Sequence, residues 1–158
     1  MMSVADMKAL LRARGKDVEA YLATCLDGRE MPQRLKDSML YSLQAGGKRL
    51  RPVLCLSTAA LCGLSPQRSM PFAAAIEMIH TYSLIHDDLP EMDNDDYRRG
   101  RLTNHKVFGQ AMAVLAGDGL LTQAFEVMTE QKGVDPALMV EIITAHRYPP
   151  VLHLLPAF

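Results

Sequence analysis

An all-α fold follows from three features of the sequence. Strand signals are nearly absent: there is no Trp, aromatics make up 6% of the chain, and no alternating Val/Ile/Thr run is bounded by turns. Apolar residues recur instead at helical spacing. Glycine and proline fall between those periodic stretches, where helices stop and start.

Each element can be read in order. Residues 1–26 are helix-like, with Leu10, Leu11, Val18 and Leu22 on a rough apolar stripe, and residues 28–32 break the pattern between Gly28 and Pro32. Residues 35–44 form a short second helix, closed by Gly46-Gly47. Residues 53–62 are almost wholly apolar and predict a buried third helix, followed by a turn at 63–66. Pro71 is expected to open a long fourth helix to about Asp88, because proline suits a first helical position. Residues 89–103 are polar and carry Gly100, as a loop would. Residues 110–132 form a fifth helix that Gly133 stops, and 136–146 a sixth. Residues 1–146 therefore read as one helical domain. Residues 147–158 read as a Pro-rich tail, since Pro149-Pro150 cannot continue a helix.

Composition bounds the function. With 158 residues the chain can hold one domain with its own core. A net charge of −1 provides no bulk field for nucleic acid or an anionic membrane, so any anion site must be a local cluster. The longest apolar runs, such as 111–116, are too short to span a bilayer, and the N-terminus is not a signal peptide. The cytoplasm is the expected compartment. Cys25, Cys55 and Cys62 have no metal spacing and read as reduced core thiols; the 11 methionines read as core filler.

Three segments carry chemistry. The first is 86–96, with five Asp and one Glu between Asp87 and Asp96. Such a cluster repels itself unless a cation sits within it. Magnesium takes a few carboxylates plus substrate phosphates. Calcium fits less well, because an EF-hand's glycine and terminal Glu are missing. A solvated acidic loop is the bland alternative. Arg98, Arg99 and Arg101 follow at once, either as a surface ion-pair network or as the guanidinium half of a metal–diphosphate clamp. The second segment is 46–52, where Gly46-Gly47 would let backbone approach an anion and Lys48, Arg49 and Arg51 follow. It lacks the ending of a Walker loop, and a basic helix start at the surface competes with it. Lys48 and Arg51 are three apart, so one helical turn would aim both the same way. The third piece is His80, seven residues before Asp87 and on the same helical face, as a ligand or as a structural histidine.

Taken together, the motifs at 46–52, 80–88, 92–100, 104–109 and 115–118 resemble, in order and spacing, the signatures of the trans-isoprenyl diphosphate synthases, and among them the bacterial farnesyl type. The likeness runs clearly from Ser38 to Glu130. It implies a bundle of antiparallel helices around a deep apolar cleft. It implies that magnesium is held by Asp87 and Asp93, with Asp88 beside them, and that Arg98 contacts an allylic diphosphate (dimethylallyl or geranyl). By the same resemblance Gly47, Lys48, Arg51, His80 and Arg99 hold isopentenyl diphosphate. The implied reaction is ionisation of the allylic substrate, attack by the isopentenyl double bond and loss of a proton. Tyr82, with Ser83 beside it, would set product length by blocking the growing tail, giving a farnesyl product. The resemblance also implies that the intact protein pairs as a homodimer.

The resemblance stops at about His146. Members of the family are longer, and their second half brings a lysine–threonine pair, a glutamine and a second aspartate-rich motif for a further magnesium. None of these is in the 158 residues. The expectation is therefore a prenyltransferase domain that is weak or inactive by itself. The alternative is a non-catalytic helical interaction protein, or the partner of a full-length subunit.

Overall fold

The structure is a computed structural model, and it describes residues 3–145. Seven helices follow one another: α1 (Val4–Thr24), α2 (Gln33–Leu43), α3 (Leu50–Leu61), α4 (Pro66–Asp87), α5 (Asn104–Phe108), α6 (Gln110–Thr129) and α7 (Pro136–Ala145). Two short strands, β1 (Tyr97–Arg98) and β2 (Arg101–Leu102), pair antiparallel between α4 and α5. The fold is all-α, as the periodicity predicts. This small hairpin and α5 are the two elements that the periodicity does not show. Two residues per strand and five per helix are too few to carry a period.

α4 is the centre of the bundle. Ala73, Ala74 and Ala75 are all fully buried, so the helix is enclosed on every side at that level. α3 and α6 pack along it, with α1 and α2 behind. The main core lies between Met78, Tyr82 and Ile85 of α4 and Ala113, Ala116, Leu120 and Ala124 of α6. Small side chains on α6 bring the two backbones together. Gly117 is where this matters most: a Cβ there would collide with the His86 ring. Met139, Ile142 and Ile143 of α7 pack against the same core from its edge.

Three expectations are corrected. α4 begins at Pro66, not Pro71. Both prolines carry the same start signal, and Pro66 takes the first helical position while Pro71 lies buried in the second turn. The three thiols are free, but Cys25 and Cys55 are only half-buried and Cys62 is exposed beyond the end of α3, so they are not all core residues. α3 is not buried as a whole: it buries Pro52, Val53 and Leu56 and exposes Leu54 and Leu61. α6 is long and apolar enough, by length and composition, to cross a membrane, and its buried face is the partner of α4. The tail at 147–158 lies outside the described residues.

Candidate functional site

The acidic turn grows out of the end of α4. Asp87 is its last residue and Asp88 its C-cap. The chain then curls back: Leu89 N–H donates to the His86 carbonyl (3.1 Å), Asp93 N–H to the Asp87 carbonyl (2.8 Å) and Asn94 N–H to the Leu89 carbonyl (3.0 Å). Asn94 takes the left-handed conformation (φ 54°) that asparagine tolerates. Asp87 and Asp93, six apart in sequence, are thus brought side by side. Asp87 is buried, and its Oδ1 has no hydrogen-bond partner. Burial first, then the Asp93 carboxylate, pushes the Asp87 carboxyl above its usual range. A buried, unpartnered oxygen beside a second carboxylate suits a cation. Among the described residues no three His, Cys, Asp or Glu side chains converge, so the protein alone would leave much of such a cation's shell to other oxygens.

The β1–β2 hairpin places the arginines. Its tip is Arg99-Gly100, both left-handed (φ 54° and 77°), as a tight hairpin turn of this twist requires. Arg98 turns to the acidic side and grips Asp88 with one edge of its guanidinium: Nε donates to Oδ1 (2.8 Å) and Oδ2 (3.0 Å), and Nη2 to Oδ1 (2.6 Å). Arg98 is therefore engaged by the protein's own carboxylate in this state. Arg99 turns the other way, and its Nη1 donates to the Gly46 carbonyl.

That carbonyl adjoins the second site, a cleft of about 420 Å³ lined by residues 47–51 together with Glu77, His80 and Arg99. Here the three cations of the 46–52 segment separate. Arg49 points inward: its side chain is 3% exposed, and Nη1 donates to Glu77 Oε1 (2.7 Å) while Nη2 donates to the Leu43 carbonyl (2.6 Å). Lys48 and Arg51 stay exposed at the cleft. They share it although Lys48 precedes α3, so a loop, not one helical turn, aligns them. Gly47 has φ 134°, and a Cβ there would strike the Arg99 guanidinium. Arg51 Nη1 lies 3.3 Å from His80 Nε2, which makes that nitrogen the acceptor of a neutral imidazole. Burial, then Arg51, holds His80 below its usual value.

The structure thus brings Gly47, Lys48, Arg51, His80 and Arg99 together in one cleft. Asp87, Asp88, Asp93 and Arg98 gather at another point on α4, two turns and ~10 Å further along its axis. Tyr82 is buried, stacked edge-on against His86 (5.3 Å between centroids), with burial and then Asp87 raising its phenol. Ser83 is buried too, but its hydroxyl donates to the His80 carbonyl within α4 (2.8 Å). Sequence reasoning missed the buried residues that hold the loops. Asn104 accepts from Ser38 Oγ (2.8 Å) and donates to the Ser38 carbonyl and Ser42 Oγ (2.9 Å each). The Asn104-His105-Lys106 motif was visible, but nothing in it showed its partners on α2.

Comparison with known proteins bears on both sites. The sequence pattern of the polyprenyl synthetase family matches residues 32–148. A farnesyl diphosphate synthase from Geobacillus stearothermophilus is 53% identical over 144 residues, 90% of this chain and 48% of that protein. A chloroplastic geranylgeranyl pyrophosphate synthase from Catharanthus roseus is 51% identical over 139 residues, 87% and 39% of the two chains. The crystal structure of an FPP/GFPP synthase from Zymomonas mobilis superposes with a TM-score of 0.85 at 43% identity, over 92% of this chain and 53% of that one. The chain thus spans about half the length of the relatives it matches.

Proposed function

Because the chain belongs to the polyprenyl synthetase family, we propose that it is a prenyltransferase domain that binds an allylic diphosphate at the acidic turn and isopentenyl diphosphate in the cationic cleft. One observation carries this reading: an acidic turn and a cationic cleft lie along α4, two turns apart, each with groups whose charge the protein leaves unmatched.

Each residue then has a task. Asp87 and Asp93 would hold magnesium, with Asp88 behind them; the ion when bound supplies positive charge against which a diphosphate can depart. Arg98 would exchange Asp88 for phosphate oxygens, a fork-to-fork contact of the same kind it already makes. Lys48, Arg51 and Arg99 would grip the second diphosphate, with the Gly47 backbone close to it and His80 donating once protonated. Charge developing on the leaving group would thus meet preorganised donors. Tyr82, buried between one and two turns before Asp87, favours a short, farnesyl-type product, with Ser83 beside it. The relatives' names cover farnesyl and geranylgeranyl products, and the test of length is Tyr82→Ala in a full-length relative. A homodimer and a cytoplasmic location complete the proposal.

A second reading is favoured by Leu54 and Leu61, 62% and 89% exposed on α3: a non-catalytic domain that docks on a full-length subunit. Calorimetry with isopentenyl diphosphate separates the two. Saturable binding that Arg51→Ala weakens supports the first, and no binding at millimolar ligand overturns it. Condensation by the 158-residue polypeptide alone should be slight, because one aspartate-rich segment supplies only part of the charge stabilisation. Losing one such element costs about 2.7–4 kcal/mol.

A further inference from the structure

α2 carries no residue of either pocket's charged set, yet one face of it is polar and turned inward. Ser38, Tyr41 and Ser42 lie three and four residues apart, on one side of the helix. Ser38 is fully buried. What this face touches is the segment that carries the two pocket arginines. Tyr41 Oη donates to the Leu102 carbonyl on β2 (2.8 Å), and the Arg101 guanidinium lies 4.3 Å over the Tyr41 ring. Asn104, two residues after β2 and the first of α5, uses its amide oxygen and both amide hydrogens on Ser38 and Ser42. Thr103 closes the hairpin's base: its hydroxyl donates to the Asp95 carbonyl (2.8 Å) and its N–H to the Asp96 carbonyl (3.0 Å).

We propose that Ser38, Tyr41 and Ser42, acting through Thr103 and Asn104, are positioning residues that hold the β1–β2 hairpin so that Arg98 and Arg99 reach their two pockets together. The argument is geometric. The hairpin has only two residues per strand, and a ribbon of that size does not hold its own orientation. Its two arginines leave adjacent positions toward different partners, Asp88 and the Gly46 carbonyl. A tilt of the hairpin therefore moves both, and the fixed point against tilting is α2. Asn104 suits the role chemically, since no other side chain of its length offers one acceptor and two donors in a plane. Ser38, Ser42 and Asn104 keep no buried side-chain polar atom without a partner, the condition under which polar groups rigidify a site; His105, joined to Thr103 through Nδ1, holds the one open position, its buried Nε2.

The proposal rests on the two-pocket reading for its functional meaning, and the test separates the two. Guanidinium N–H signals of the full chain are recorded by NMR without ligand, in the parent, in Asn104→Ala and in Tyr41→Phe. Both substitutions should move the Arg98 and Arg99 signals together and leave Arg49, held by Glu77, in place. Tyr41→Phe removes one hydroxyl and keeps the ring, so it covers the case in which Asn104→Ala does not fold. Inorganic pyrophosphate is then titrated with and without magnesium. Asn104→Ala should weaken both titrations by about tenfold, the cost of buried hydrogen bonds lost. Arg98→Ala should affect chiefly the magnesium-dependent titration and Arg99→Ala chiefly the other. Movement of only one arginine's signals, or of neither, in a folded variant overturns the positioning role. If the parent does not bind pyrophosphate, the two-pocket reading fails, while the NMR result still decides the positioning role.

Discussion

The two charged turns, 46–51 and 87–96, make a revealing pair. Each opposes the helix it adjoins. Asp87 and Asp88 sit at the negative end of α4, and Arg49 and Arg51 at the positive end of α3, whose first turn contains no acid. Neither arrangement favours folding. The difference is how each is compensated. At the cationic turn the protein supplies its own counter-charge, the Glu77 carboxylate on Arg49, and leaves Lys48, Arg51 and Arg99 over. At the acidic turn Arg98 matches Asp88, but Asp87 keeps a buried oxygen with no partner. The cationic cleft is built around an internal ion pair; the acidic turn keeps a buried carboxylate oxygen without a partner.

The largest effect expected from breaking this contrast is at the internal pair. Arg49→Ala leaves Glu77, 4% exposed, as a buried and unpaired charge, and frees the Leu43 carbonyl. Such a loss costs about 3–5 kcal/mol. Urea denaturation should show a lower midpoint with little change in slope. An unchanged midpoint would mean that the pair is not buried in solution.

Asp87→Asn sharpens the contrast from the other side. Its two readouts should move in opposite directions. Magnesium-dependent pyrophosphate binding should fall on the order of a hundredfold, as when one member of a desolvated charge set is removed. The melting temperature of the ligand-free chain should not fall, because burial and Asp93 both disfavour the parent carboxylate. The sign follows from linkage. A carboxyl raised in the fold gives stability that is present below its unfolded value and lost as pH rises through the folded one. The parent should therefore lose some stability on going from acid to neutral pH, and Asp87→Asn should lose less. A clear drop in melting temperature for the variant would place Asp87 among the residues that hold the fold.

Gly47→Ala comes next. The backbone there is in a region that glycine favours, and the new methyl would displace Arg99. A loss of about 1 kcal/mol in stability is expected, with weaker metal-free pyrophosphate binding and unchanged magnesium-dependent binding. Equal losses in both titrations would mean that the pockets are not separate.

Much of this contrast was legible in the sequence. Clustered charge names the two turns because like charges side by side repel one another, and the helices around them have long apolar periods. The charged groups' partners were less legible. Arg49 is indistinguishable from Lys48 and Arg51 in a string, and only its left-handed backbone (φ 47°) turns it inward to Glu77. Arg98 reads in the string as either an ion-pair partner or half of a diphosphate clamp, and only the fold shows it paired with Asp88 ten residues earlier. Asn104 and Ser38 are 66 residues apart, and neither carries a periodic signal of its own. Pro71 misled the start of α4 because Pro66 offers the same cue five residues earlier.

His80 is the smallest and most specific probe. It lies in the cationic cleft, and burial, then Arg51, holds it below its ordinary value of 6.5. By linkage, a histidine depressed in the fold gives stability that is present above its unfolded value and lost as pH falls through that value to the folded one. The ligand-free chain should thus lose a little stability between pH 7 and the acid side of that window. An anion in the cleft reverses the balance. Pyrophosphate brings negative charge beside the ring and draws Arg51 toward itself, which favours imidazolium. Binding near pH 6 should therefore take up a fraction of a proton. Calorimetry in buffers of different ionisation enthalpy measures that uptake directly. His80→Gln keeps a hydrogen-bonding side chain of similar reach and removes the imidazole's titration, so it should take up less than the parent, the remainder being pyrophosphate's own protonation, which both proteins share. If the variant takes up as much as the parent, the proton goes elsewhere, and His80 does not face the bound anion. If neither takes up any, the ligand has not displaced Arg51 from the ring. The cleft would then be a fixed cationic surface, and its contrast with the acidic turn would lie in charge alone, without rearrangement on binding.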